Sequence, residues 1–171
     1  MNPSGPRVAN IEYTGTGPFK VTGLDINGGE VATYAQSDGP YSGSVAVDFH
    51  DEQDSRSLSI DADGPWTIRM VPVESLTPLP GGFTGSGDDV VLYTGGIGEV
   101  AFSHSGAGPF EVNYFEITTR EIATAVKEAG PFRGKRRSAR SCLRMDHSGR
   151  SLVRHPLSRV ERRRRLRSVV D

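Results

Sequence analysis

Apolar residues recur at every second position in short runs, and glycine and proline separate those runs. Val8, Ala9, Ile11 and Tyr13 mark one strand, and Phe19 and Val21 start the next after the turn Gly15-Thr16-Gly17-Pro18. Period-two patterning of this length predicts strands with one face buried. Asp25-Ile26-Asn27-Gly28-Gly29 reads as a turn because Asn-Gly accepts positive φ. Val31 to Ala35, Tyr41 to Phe49, Ser57 to Asp61 and Trp66 to Val71 complete six strands, with Leu58, Ile60, Trp66, Ile68 and Met70 expected inward. Pro72 to Gly87 has the composition of a linker and disfavours regular structure. Val90 to Tyr93 and Val100 to Phe102 then resume the strand pattern.

The pattern repeats. Ile11 to Gly43 and Phe102 to Gly134 align without a gap at a displacement of 91, with twelve identities in 33 positions. Unrelated segments would share about two. Glycine, proline and the apolar anchors carry the match, including Phe19 with Phe110 and Val21 with Val112. A tandem duplication therefore governs the architecture. The chain reads as an all-β protein of two tandem, related, antiparallel β-sandwich-like units, the second incomplete, with a basic C-terminal tail. The boundaries are unit one over 8–71, a linker over 72–87, unit two over 88–154 (degenerate after 134), and an arginine-rich tail over 155–171 that is disordered or a short helix. Shifting the opening strand of unit two back by 91 places it before Met1, so unit one is expected to lack that strand and to self-associate weakly through the open edge.

One device recurs inside the repeat. Gly-Pro-aromatic occurs at Phe19, Tyr41, Trp66, Phe110 and Phe132. Glycine supplies the turn angles, proline sets φ at the first strand position, and the aromatic drops into the core.

Charge divides the chain. Residues 1–132 carry six Lys or Arg against eighteen Asp or Glu, and residues 133–171 carry fourteen against three. The stretch after Gly134, Lys135-Arg136-Arg137, stands where unit one has apolar alternation and is not core-forming. It reads as a degenerate, partly out-of-frame end of unit two. Residues 143–146 and 151–154 are expected to pair poorly, because Ser151 replaces the anchor Trp66. Arg162, Arg163, Arg164 and Arg165 supply the alternative function, nonspecific nucleic-acid binding by phosphate neutralisation. The acidic body opposes it. The N-terminus has no apolar signal-peptide core and no run is long enough to span a bilayer. With Cys142 the only cysteine, no intrachain disulfide forms.

The motifs Gly85-Ser86-Gly87-Asp88-Asp89-Val90-Val91, Gly39-Pro40-Tyr41-Ser42-Gly43 and Asp61-Ala62-Asp63-Gly64-Pro65-Trp66-Thr67-Ile68, with Phe102-Ser103-His104-Ser105-Gly106, give a resemblance over residues 8–134. The chain resembles an uncharacterised tandem β-rich repeat of exported and lipoprotein-like bacterial proteins. The resemblance implies a small β-sandwich displayed outside the cell or in its envelope, and implies no catalytic residues.

Candidate chemistry is sparse. Asp88-Asp89 and Asp61-x-Asp63-Gly64 offer oxygen ligands for calcium, but Asp-Gly turns need no metal and the EF-hand spacing is missing. His50, His104, His147 and His155 lie at no metal-ligand spacing, and His104 aligns with Tyr13 as a half-exposed strand position. No nucleophile elbow accompanies the serines. The expected protein is a non-enzymatic interaction module with no cofactor and no metal. Its ligand is a protein or a carbohydrate, with Tyr34 or Tyr114 as exposed stacking platforms for a sugar.

Overall fold

The computed structural model describes residues 5–79, 82–94, 98–117, 119–138, 141–147 and 150–154. It is all-β. The strands are β1 (Arg7–Tyr13), β2 (Pro18–Leu24), β3 (Glu30–Asp38), β4 (Tyr41–Val47), β5 (Ser57–Ala62), β6 (Trp66–Pro72), β7 (Pro78–Leu79), β8 (Phe83–Ser86), β9 (Asp89–Tyr93), β10 (Gly98–His104), β11 (Pro109–Phe115), β12 (Ile122–Ala129), β13 (Phe132–Ser138), β14 (Ser141–His147) and β15 (Arg150–Arg154). A 3₁₀ turn at Val73–Ser75 follows β6. Among the described residues no helix is long and apolar enough to cross a membrane.

Four sheets result, ordered β4-β1-β6, β3-β2-β5, β13-β10-β15-β8 and β12-β11-β14-β9-β7. All pairs are antiparallel except the short parallel contact of β7 with β9. The first two sheets enclose one core, in which Ile11, Tyr13 and Val45 meet Phe19, Val21 and Tyr34. The last two enclose another, built on Phe102, Phe110, Val112, Tyr114, Val91 and Tyr93. A third cluster joins the halves: Val8, Ala46, Phe49 and Val73 pack against Val90 and Phe115, with Phe49 and Phe115 rings 4.5 Å apart.

Registers recur between the halves. Ile11 faces Gly43 and Phe102 faces Gly134. Each second hairpin carries a bulge at the same place, after Val21 in one and after Val112 in the other. Gly39 and Gly130 both have positive φ, and each donates its amide to a glycine carbonyl (Gly17, Gly108) at 3.0 Å. Phe19 and Phe110 are both buried. The ring of Tyr13 stacks on Phe19 at 4.5 Å, as His104 stacks on Phe110 at 4.8 Å. His104 and Tyr13 are thus equivalent, but as buried residues and not half-exposed ones.

Four further expectations are corrected. Residues 143–146 and 151–154 do pair: β14 lies between β11 and β9, and β15 between β10 and β8. Backbone hydrogen bonds form a ladder whatever the side chains, and each strand has two neighbours to template it. The linker is not structureless, since Phe83–Ser86 forms β8 on β15. Its alternation turns Phe83 toward the core while Gly85 and Gly87 allow close passage, which the Pro and Gly content concealed. Trp66 is no core anchor, for it sits at the end of β6 opposite Tyr13 and is 47% exposed. Finally, β13 continues through Arg137 although Arg136 occupies the position of buried Val45. The guanidinium escapes the core by lying 5.2 Å over the Phe132 ring and 3.6 Å from Glu128, as an edge strand permits.

The halves differ at one side. In the second, β9 caps the outer edge of β14 and β8 that of β15, so residues 83–93 run from one sheet to the other as a two-strand clip. Among the described residues, β5 and β6 have no partner on the corresponding edges.

Candidate functional site

Alternation on β1, β4 and β6 turns Ile11, Val45 and Ile68 inward and leaves Asn10, Glu12, Ser42, Ser44, Thr67 and Arg69 on the outer face. One end of that face is apolar and is covered by the second half, through Val8 and Ala46. The other end is polar and open. The turn between β8 and β9 leans over it and closes a groove of about 480 Å³ lined also by Ser86, Asp88 and Asp89.

The turn is held there by specific bonds. Ser44 donates its amide to the Asp88 carbonyl at 2.9 Å, and the Tyr41 hydroxyl donates to Asp88 Oδ2 at 2.7 Å. Gly43 makes the approach feasible: a Cβ there would lie 2.9 Å from the Asp88 carbonyl oxygen. On the floor, Ser44 Oγ donates to Asn10 Oδ1 at 2.9 Å, which leaves the Asn10 amide hydrogens for other partners. Arg69 stands opposite Asn10, and Glu12 opposite Thr67. Neither Arg69 nor Glu12 makes an ion pair or side-chain hydrogen bond among the described residues. The groove therefore presents a planar cationic donor, a carboxylate acceptor and an amide within one wall.

A second polar group is buried. Arg7 Nη2 donates to Asp48 Oδ2 at 2.7 Å, and the Tyr34 hydroxyl donates to Asp48 Oδ1 at 2.8 Å. The Ser55 amide also donates to Asp48 Oδ1, at 3.1 Å. Because the phenol has one proton and spends it on Asp48, Ser55 Oγ must donate across its 2.6 Å contact with Tyr34. Burial works to raise the Asp48 carboxyl, but the bonds from Tyr34, Arg7 and Ser55 outweigh it and hold the group below its usual value. Burial pushes the Tyr34 phenol up to about 12. A serine donating to such a phenol has no base to activate it, so the group acts as a lock on the β4–β5 connection. Asp48 itself has φ of 59°, a left-handed conformation that a carboxylate bonding to nearby backbone tolerates.

The residues singled out in the sequence are not assembled into one site. Asp63 accepts the hydroxyl of Tyr13, which with burial raises that phenol, while Asp61 lies exposed on β5 opposite Lys20. Asp88 holds Tyr41, and Asp89 Oδ1 accepts the Val90 amide at 2.9 Å. No group of three His, Cys, Asp or Glu among the described residues could hold a metal ion. His50 is exposed in a turn, His104 is buried against Phe110 of the second core, and His155 lies outside the described residues. Tyr34 and Tyr114 are both buried, which corrects their reading as exposed sugar platforms: each packs its ring inside a core. Arg162, Arg163, Arg164 and Arg165 lie outside the described residues. Of the basic run that is described, Lys135 pairs with Glu99 at 3.4 Å and Arg136 with Glu128. The groove residues were not legible beforehand, since serine, asparagine and arginine on alternate positions describe any solvated strand face.

No protein-family model matches this chain, and no curated protein matches it.

Proposed function

We propose that this protein is a non-enzymatic interaction module of an exported or cell-envelope protein, built by duplication of one β unit, and that its polar groove binds a hydrogen-bonding ligand, either a saccharide or a polar protein segment. The observation that carries the reading is the state of Arg69, Glu12 and the Asn10 amide: three recognition groups on one wall, none spent on an internal partner that would hold them back. The volume falls in the range of small-ligand sites, but the polar lining selects against an apolar molecule. The recurring registers support duplication, and the resemblance supports the exported setting. The buried lock of Arg7, Asp48, Tyr34 and Ser55 supports a structural use for the most perturbed titratable groups.

The test is a screen of immobilised glycans and peptides, followed by titration calorimetry on any hit. Arg69→Ala should weaken the ligand by about tenfold or more, because an anchoring arginine is worth more than 1 kcal/mol. Its melting temperature should stay at that of the parent protein. A ligand that binds Arg69→Ala and Glu12→Gln as tightly as the parent would remove the groove from consideration. The basic C-terminal stretch remains the alternative, and salt-dependent DNA binding lost in a variant neutralised at Arg162, Arg163, Arg164 and Arg165 would favour it.

A further inference from the structure

We infer that the outer face of the β13-β10-β15 sheet is a binding surface for an acidic polysaccharide, separate from the groove of the first half and from the arginine run at 162–165. Alternation decides what that face carries. Phe132 packs against the second core and Gly134 stands opposite buried Phe102, so Arg133, Lys135 and Arg137 lie on the other side of β13, where all three are exposed. Same-face residues on a strand are about 6.8 Å apart, and the three therefore form one straight cationic row. On the neighbouring strand β10, Ser103 stands opposite Arg133, Ala101 opposite Lys135 and Glu99 opposite Arg137. Beyond it, β15 brings Arg154 to the register position opposite Ala101.

The first half shows that the frame does not require these charges. At the same registers it has Ser42, Ser44 and Ala46 on β4 against Glu12, Asn10 and Val8 on β1. Val8 and Ala46 are buried there under the second half, whereas Glu99 and Arg137 at their places are exposed and would have to bury charge to be covered in the same way. The row is also unspent. Neither Arg133 nor Arg137 makes an ion pair or side-chain hydrogen bond among the described residues. Lys135 pairs with Glu99 at 3.4 Å, but the two side chains are 60% and 64% exposed, and so open a pair gives way readily to another anion.

The chemistry of the face selects its partner. Cations in an open row have no walls with which to enclose a single small ion, so affinity has to come from repeated contacts along one polyanion, and arginine forks suit sulfate, phosphate and carboxylate groups alike. Beside the row, Ala101 and Ser103 leave a shallow floor of small side chains on which a sugar ring can lie flat. Nucleic acid fits less well. Among Arg133, Lys135, Arg137, Glu99, Ala101 and Ser103 there is no aromatic to stack a base, and a sheet face projects no element into the groove of a duplex. A flexible acidic peptide would lose more conformational freedom than a stiff sugar chain on being laid along the row.

The experiment titrates the full chain with heparin, a sulfated polysaccharide, by calorimetry at low and at physiological salt. Uncharged dextran, polyglutamate and a DNA duplex are the comparison probes. Heparin should bind most tightly and lose affinity steeply as salt rises, and dextran should not bind. Arg133→Ser, Lys135→Ser and Arg137→Ala made together install the residues that the first half carries at the same registers. They should weaken heparin at least about tenfold, since the whole row is lost, and leave the melting temperature unchanged. Glu99→Gln removes the acid from the face and releases Lys135, so it should tighten heparin by about twofold or more. Misfolding does not produce such a gain. The same ordering should hold in a chain neutralised at Arg162, Arg163, Arg164 and Arg165. The inference is overturned if the triple replacement binds heparin as tightly as the parent, if Glu99→Gln gives no gain, or if neutralising 162–165 alone abolishes binding, which would assign it to that run. It is also overturned if the duplex or polyglutamate binds as tightly as heparin, because the face then does not select a polysaccharide.

Discussion

The two halves bury a tyrosine at the same cross-strand site, but from opposite strands. In the first, Tyr34 comes from the bulge of β3 and lies over Gly23, where a Cβ would sit 2.5 Å from its ring. In the second, Tyr114 stands at the place of Gly23 and Ala125 at that of Tyr34. Ring volume is conserved while its point of attachment is exchanged, as a close-packed core requires. The hydroxyls differ in consequence. That of Tyr34 reaches Asp48 and Ser55, whereas that of Tyr114 is buried with no hydrogen-bond partner among the described residues. One backbone frame thus supports a buried tyrosine locked by hydrogen bonds and one held by packing alone.

Breaking the lock should have the largest effect. Asp48→Ala leaves the Arg7 guanidinium buried beside no carboxylate and should cost about 3–5 kcal/mol, read by chemical denaturation. The pH dependence follows from the same bonds. The folded Asp48 carboxyl lies below its unfolded value, so its contribution is fully present above about pH 4 and fades as the pH falls through the folded value. Tyr34 has the opposite sign: its phenol is raised to about 12, so its contribution is complete below about pH 10 and is lost as the pH climbs toward 12. Tyr34→Phe removes a donor to Asp48, so it should lower stability at neutral pH and shrink the further loss seen as the pH falls through the Asp48 value. It should leave Tyr114, which burial and the neighbouring Tyr93 push up to about 12, as a late-titrating tyrosine in an ultraviolet titration.

Next in size is the exchange itself. Gly23→Tyr places two rings at one site and should destabilise the first half by about 1–3 kcal/mol, more if Ser55 is also displaced. Adding Tyr34→Ala reproduces the arrangement of the second half and should recover part of the loss, though not the hydrogen bonds to Asp48. A double-mutant cycle with no coupling would show that the two sites are not interchangeable.

Trp66→Ser tests depth in place of side. With 47% of its surface exposed, the indole should be worth about 1–2 kcal/mol, less than the roughly 3–5 kcal/mol of a buried aromatic. The residue also marks where the sequence could and could not be read. Alternation assigned Trp66, Ile68 and Met70 to the inner face, but it carries no information about where along a strand the opposing sheet ends. The strands of the first half, the displaced registers and the burial of Phe19 and Phe110 were legible because turn chemistry and period-two patterning are local. The clip was not, since β8 is an edge strand rich in glycine whose pairing partner, β15, lies some 65 positions downstream. Arg136 misled for a related reason: composition forbids a guanidinium in a core, yet an edge strand lets it fold out over Phe132. The groove was hidden because nothing in Asn10 or Ser44 distinguishes them from other solvated positions until the β8–β9 turn is laid across them.

The smallest effect separates the two tyrosines by sign. Tyr114→Phe removes a hydroxyl that is buried, sits in the second core and has no hydrogen-bond partner among the described residues. An unsatisfied buried hydroxyl costs about 1–3 kcal/mol in desolvation, but the ring's packing is kept by phenylalanine and the void left is a single oxygen. The expected outcome is a gain of up to about 1 kcal/mol, seen as a higher denaturation midpoint with an unchanged denaturant slope. Tyr34→Phe should lose stability, because it strips Asp48 and Ser55 of a shared partner. Opposite signs would establish that the first half depends on its phenol and the second only on its ring. A loss in both would mean that the Tyr114 hydroxyl is satisfied, and the contrast between a locked tyrosine and one held by packing would fall.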